Sequence, residues 1–186
     1  REGQPVKLLD LLDEAISRAK VIVRQKNPEL DEIEMEKRSR IIGLGALRYA
    51  DLSQDRTLDY VFSWDKLLAL QGNTAPYLQY AVARIRSIFR KLEIEPGFGE
   101  EDASVLVTES ENVLARKLIY FPSVLEQTAH ELKPHHLCGY LYELATDFSS
   151  FYNADKVLVD ESDVRARRSL LCARTLLILE TGLNLL

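Results

Sequence analysis

Cysteine, methionine and tryptophan are scarce in this chain, with two, one and one respectively in 186 residues. Cys138 and Cys172 lie far apart, each inside a helical pattern, so a reduced cytosolic setting is expected rather than a disulfide framework. No run of about eighteen apolar residues occurs, and "REGQPVKLL" has neither the charge pattern nor the apolar stretch of a signal peptide. Membrane and secretory roles are therefore not expected, and a cytoplasmic location is. A glycine-rich phosphate loop and a nucleophile elbow are also absent. "HELKPHH" comes nearest to a zinc site, but two ligands on one helical face need His at i and i+4, and Pro134 stands four after His130. His135 and His136 read instead as surface or helix-start residues, and no metal is expected. Cations are not in excess: 29 acidic against 24 basic side chains give a net charge of −5, so any polyanion must be met locally. The many carboxylates fall on patterned helix faces beside Lys or Arg, which reads as solvated charge rather than paired acid–base chemistry.

At 46% hydrophobic and 28% charged, the chain suits one globular unit or one lobe of a larger enzyme. Leu8, Leu9, Leu12, Ala15, Ile16 and Ala19 predict an amphipathic helix from about Val6 to Gln25, ended at Asn27-Pro28. A second helix is expected from Asp31 to Asp51, where Gly43 and Gly45 permit a tight crossing. Leu58 to Trp64 reads as an extended connector, and Asp65 to Leu70 as a short helix before the Gly72-Asn73 turn. Thr74 is a candidate N-cap for a helix reaching Leu92, with Pro76 tolerated in its first turn. "EIEPGFGEED" reads as an exposed loop. Helices then follow at Glu109–Phe121, Ser123–Leu132, His136–Phe151 and from Ser162 onward, with Lys156–Val159 the other extended candidate. Nothing repeats at a fixed period.

The helix after Thr74 is unusual. Leu78, Ala81, Val82, Ile85, Ile88, Phe89 and Leu92 share one side, while Tyr77, Tyr80, Arg84, Ser87 and Lys91 share a narrow adjoining strip. Arg84, Arg86, Arg90 and Lys91, with no acidic residue between them, make this the strongest local positive potential outside the "RARR" segment. Tyrosine offers a face on which an unpaired base stacks, and arginine reaches phosphates or base edges, so the strip is fit for a single-stranded RNA loop. The same residues also allow a plainer reading, in which the tyrosines complete the core and the arginines are solvated.

"FSWDKLLALQGNTAPYLQYAVARIRSIFRK" resembles the "F-x-W-D … G-(D/N)-T-x-P-Y-L-Q-Y-A-x-A-R-x-x-S-I" segment of arginyl-tRNA synthetases, a class I aminoacyl-tRNA synthetase family. "REGQPVKLLDLLDEA" is similar to the stretch after that family's "KMSK"-type signature loop, and "GLGALRYADL" to its helix before the anticodon domain. "HLCGYLYELATDFSSFYNADKVL" and "RARRSLLCARTLLILETGLNLL" are similar to its last helices, so the resemblance covers nearly the whole chain.

The resemblance implies an all-α helical bundle of the anticodon-binding DALR type. It assigns residues 1–56 to linker helices after the catalytic-domain signature loop and 57–186 to the DALR domain with an incomplete C-terminal tail. Residue by residue, the family's RNA-facing tyrosine and arginine match Tyr77 and Arg84, and the tyrosine of "F-S-x-x-Y" matches Tyr152; Tyr80 and Lys91 join them from the strip. Val82 stands where many relatives have His, and Asn73 replaces the common Asp of "G-D-T". The implied partners are the anticodon loop of arginine-specific tRNA and the catalytic domain of the same polypeptide, in a monomer. Arginine anticodons all have cytosine in the middle, so the domain is expected to accept a splayed cytosine. ATP and Mg are implied for the full-length ligase and no cofactor for this segment, which lacks the family's "H-x-G-H" motif. It is therefore expected to form no arginyl-adenylate alone, and arginine-dependent pyrophosphate exchange by the isolated chain would contradict that. The competing expectations are a helical protein-interaction module without RNA, or the DALR domain of a cysteinyl-tRNA synthetase, which the "T-x-P-Y-L-Q-Y-A" run disfavours.

Overall fold

The computed structural model describes residues 7–59, 62–97 and 105–186. Among these, eight helices and no strands occur: α1 (Leu8–Lys26), α2 (Glu32–Leu52), α3 (Trp64–Leu67), α4 (Ala75–Leu92), α5 (Glu109–Ile119), α6 (Phe121–Glu131), α7 (His135–Ala154) and α8 (Ser162–Leu185). The all-α expectation holds, and most predicted helix ends fall within a few residues of those observed. Two expectations change. Trp64 opens α3 rather than ending an extended connector, of which Tyr60 and Val61 lie outside the described residues; Lys156–Val159 is a loop, not a strand. The loop expected at Glu93–Asp102 is described as far as Gly97. The chain divides into two compact units, Arg1–Tyr77 and Leu78–Leu186.

In the first unit, α1 and α2 form an antiparallel hairpin, with Arg24 and Lys20 of α1 bridging to Glu32 and Glu36 of α2. Asn27 caps α1, and the Asp31 carboxylate accepts the Glu34 N–H at 2.8 Å to start α2. Ala15 and Ala19 are fully buried along the seam. A Cβ added at Gly43 would lie 2.6 Å from the Ala15 carbonyl oxygen, so only glycine lets the two backbones meet here. Gly43→Ala is expected to cost about 1–3 kcal/mol, because the obstructing atoms are backbone and cannot rotate aside. An unchanged urea midpoint would show that the crossing opens freely. Thr74 caps α4 as expected: its Oγ1 accepts the Tyr77 N–H at 3.2 Å and donates to the Ala69 carbonyl at 2.7 Å. Gly72 takes a left-handed φ of 83° in the turn before it.

In the second unit, α7 is the central element. Leu137, Cys138, Leu141, Leu144, Ala145, Phe148 and Phe151 recur at helical spacing and are all buried. From α4, Leu78, Ala81, Ile85, Ile88 and Phe89 are buried, as are Leu171, Cys172, Ala173, Leu176 and Leu179 from α8. α8 packs on both α5 and α7. Neither cysteine is in a disulfide and both are fully buried, and burial pushes the Cys172 thiol up to about 12. His135 starts α7 and His136 bonds Glu131 at 2.8 Å, in keeping with the helix-start reading.

Candidate nucleic-acid interface

The exposed edge of α4 is built by its spacing. With Leu78, Ile85, Ile88 and Phe89 turned into the core, Tyr80, Arg84, Ser87 and Lys91 fall along the adjoining strip. This strip faces the end of α7 and the loop after it across a depression of about 430 Å³. Tyr80, Ala83, Arg84, Ser87, Ile88 and Lys91 line one side, and Tyr152, Asn153 and Leu158 the other.

Arg84 lies at its centre. Its guanidinium carbon is 4.7 Å from the Tyr80 ring centroid and 5.3 Å from that of Tyr152. Nη2 also donates to the Tyr80 hydroxyl at 2.9 Å. A guanidinium held against aromatic faces is fixed in position, and no carboxylate among the described residues pairs with it. Tyr80 remains 51% exposed, which leaves ring surface for a ligand. Tyr152 is steadied from behind by Phe148, 6.0 Å between ring centroids. Lys91 is exposed at the far end of the strip.

Four of the five residues singled out in the sequence thus share one depression. Tyr77 is not among its lining residues; it is half-buried in the first compact unit. Asn153 and Leu158 join the site without any signal of their own in the sequence. Leu158 sits in the "KVLV" stretch, whose apolar β-branched composition suggests extended chain, and its tertiary neighbours lie far off in sequence.

The cations of α4 are not equivalent. Arg86 pairs with Glu180 of α8 at 2.7 Å, so the positive edge inferred from four cations is narrower than its composition suggests. The flank carrying Arg86 has a larger depression, about 720 Å³, lined also by Phe89, Arg90, Leu176, Leu177 and Glu180. Phe89 is buried there and Glu180 brings a carboxylate that occupies Arg86, leaving exposed Arg90 as its other cation, so this larger space offers a base or phosphate less than the smaller one.

The "RARR" segment also departs from its expected role as positive surface. Glu111, expected with the other carboxylates to be solvated, is fully buried and takes Arg167 Nε at 3.0 Å and Arg168 Nε at 2.9 Å. It also accepts the Val107 and Thr108 N–H groups, closing a capping box at the start of α5. Burial works to raise the Glu111 carboxyl, but the backbone and arginine hydrogen bonds outweigh it and hold the group at about 2. Arg168 Nη2 reaches Asp155 at 2.7 Å, and Thr108 and Ser110 donate to the other oxygen of that carboxylate. Two of these arginines are therefore spent inside the fold.

The chain is similar to known proteins along its whole length. A family model described as the DALR anticodon binding domain matches residues 78–186, and one described as the catalytic domain of class I (R) tRNA synthetases matches residues 1–64. Arginine–tRNA ligase of Thermobifida fusca is 50% identical over 188 aligned positions, covering all of this chain and 32% of the relative. That of Edwardsiella ictaluri is 47% identical with the same coverage. Among solved structures, the arginyl-tRNA synthetase of Thermus thermophilus aligns with a TM-score of 0.88 at 33% identity, and that of Plasmodium falciparum with 0.86 at 32%. They cover 100% and 97% of this chain and 32% of each neighbour, so the chain spans about a third of the length of the relatives it matches. The chain belongs to the DALR anticodon binding domain family and is homologous along its whole length to arginine–tRNA ligases.

Proposed function

We propose that the second unit recognises the anticodon loop of arginine-specific tRNA, as part of a ligase that joins arginine to that tRNA with ATP. The observation that carries this reading is the Arg84 guanidinium set against the rings of Tyr80 and Tyr152, in a depression with Lys91 at its edge. An unstacked base has two faces for the tyrosines and edge acceptors for the guanidinium, and its flanking phosphates lie within reach of a lysine. A splayed cytosine from the middle of the anticodon is the favoured occupant. Tyr77 enters the proposal on the family resemblance alone.

Residues 57–186 as the anticodon-binding domain, the catalytic domain of the same polypeptide as neighbour, and a monomeric state complete the proposal. ATP and Mg are assigned to the full-length ligase rather than to this segment, and among the described residues no group of three or more His, Cys, Asp or Glu is placed to hold a metal ion. No described helix is long and apolar enough to cross a membrane.

The test is the affinity of the chain for arginine tRNA as a function of salt. If Lys91 neutralises one phosphate, Lys91→Ala is expected to lower the magnitude of the salt slope by about 0.7, the value for a single-stranded contact. Binding that is weak, indifferent to salt and equal for unrelated tRNAs would favour the protein-interaction reading instead.

A further inference from the structure

The loop after α7, residues 155–159, carries Leu158 into the depression and is separated from Tyr152 and Asn153 only by Ala154. It belongs to no helix, with one backbone bond inside it from the Val159 N–H to the Val157 carbonyl at 3.1 Å, and it is held at three places by α8. Arg168 donates through Nη2 to the Asp155 carboxylate and through Nη1 to the Lys156 carbonyl, both at 2.7 Å. Arg165 Nη1 donates to the Val159 carbonyl at 3.0 Å. Between these grips Val157 is 2% exposed, plugged into the core. The guanidinium of Arg168 is itself oriented by Glu111 through Nε. All its donor nitrogens are thus committed within the fold, and its side chain is only 13% exposed.

We propose that Arg168 is a positioning residue for the RNA site: by clamping Asp155 and Lys156 it sets the end of α7, and so the distance of the Tyr152 ring from Arg84. This inference rests on the anticodon-loop reading for its functional consequence, but not for its structural one. Arginine is needed because three donor directions leave one rigid plane; a lysine ammonium keeps the charge but cannot span Glu111, Asp155 and the Lys156 carbonyl together. Arg167 supplies the comparison, since it bonds the same Glu111 at 3.0 Å through Oε2, and no bond of its joins the loop.

The experiment compares Arg168→Lys with Arg167→Lys in the full chain, below the thermal midpoint of each. Two signals are read: the ring resonances of Tyr152 in tyrosine-labelled protein, assigned with Tyr152→Phe, and arginine tRNA affinity against salt. Arg168→Lys is expected to shift the Tyr152 resonances and weaken tRNA binding about threefold to tenfold, part of one stacking contact, with the salt slope unchanged. Arg167→Lys is expected to leave both near the parent even if it lowers the midpoint. Equal effects of the two variants on Tyr152 would overturn the proposal, since the network would then serve stability alone. If Arg168→Lys does not fold, Ser110→Ala takes its place. It removes one donor to Asp155 while keeping Arg168 on Glu111, and it is expected to shift Tyr152 in the same direction by less; no shift overturns the proposal. Should Lys91→Ala and Arg84→Ala both leave tRNA affinity untouched, the anticodon-loop reading fails separately, and the Tyr152 resonances still decide whether Arg168 positions the ring.

Discussion

Glu111→Ala is expected to destabilise the second unit by about 3–5 kcal/mol, because it removes one partner from a buried set of charges and leaves the others uncompensated. Arg167 and Arg168 are 11% and 13% exposed, so neither guanidinium recovers full hydration when the carboxylate goes. The Val107 and Thr108 N–H groups lose their acceptor in the same substitution, and α5 loses half its capping box. Glu111→Gln separates charge from shape. The carboxyl sits at about 2 against an ordinary 4.5, a difference that stabilises the folded state by about 3 kcal/mol at neutral pH. Because the folded value is the lower one, the contribution is complete above 4.5, fades as the unfolded chain takes up its proton, and is lost as pH falls through about 2. Urea midpoints of the parent are therefore expected to drop over this interval more steeply than those of Glu111→Gln. Parallel acid profiles for the two proteins would refute the assignment.

Arg84→Ala is expected to weaken arginine tRNA binding by about 1–3 kcal/mol, the scale of one base-stacking or charge-assisted contact removed from a single-stranded site. The loss has two sources, and Arg84→Lys divides them. Lysine preserves a positive charge, so the salt slope is expected to stay near the parent value while affinity still falls. It cannot reproduce the plane lying over Tyr80 and Tyr152 or the Nη2 bond to the Tyr80 hydroxyl. Alanine is expected to lower both affinity and slope, the slope by about 0.7. Arg84 is half-buried, so each variant is compared only after its thermal midpoint has been measured. Intact folding with unchanged affinity in both variants would mean that the plain reading of this helix is correct and that the tyrosines merely finish the packing.

Much of this fold is legible in the order of its amino acids, and the reason is local. A stripe such as Leu78, Ala81, Ile85 and Phe89 announces a helix and its inner face, and Asp31 and Thr74 mark helix starts, because caps bond only a few residues away. The Tyr80–Arg84 pair is likewise readable, being one helical turn apart. Partners distant in sequence are not. Glu111 meets arginines 56 and 57 residues later, and Arg86 meets Glu180 after 94. Periodicity tells which face of a helix is inward but not which charges wait on the helix opposite, so a buried carboxylate and a solvated one look alike. The same limit hides Leu158, whose loop is shaped by α8 rather than by its own residues.

The two buried thiols give the second unit a clock. Alkylating reagents attack the thiolate, and both sulfurs are closed to solvent, with ionisation at Cys172 strongly opposed as well. Labelling must then wait for molecules in which α7 or α8 has opened, and its rate reports how often that happens. Since Cys138 lies in the first half of α7 and Cys172 in the middle of α8, matching rates at the two positions would mark one cooperative opening. Diverging rates would resolve the unit into parts that breathe independently.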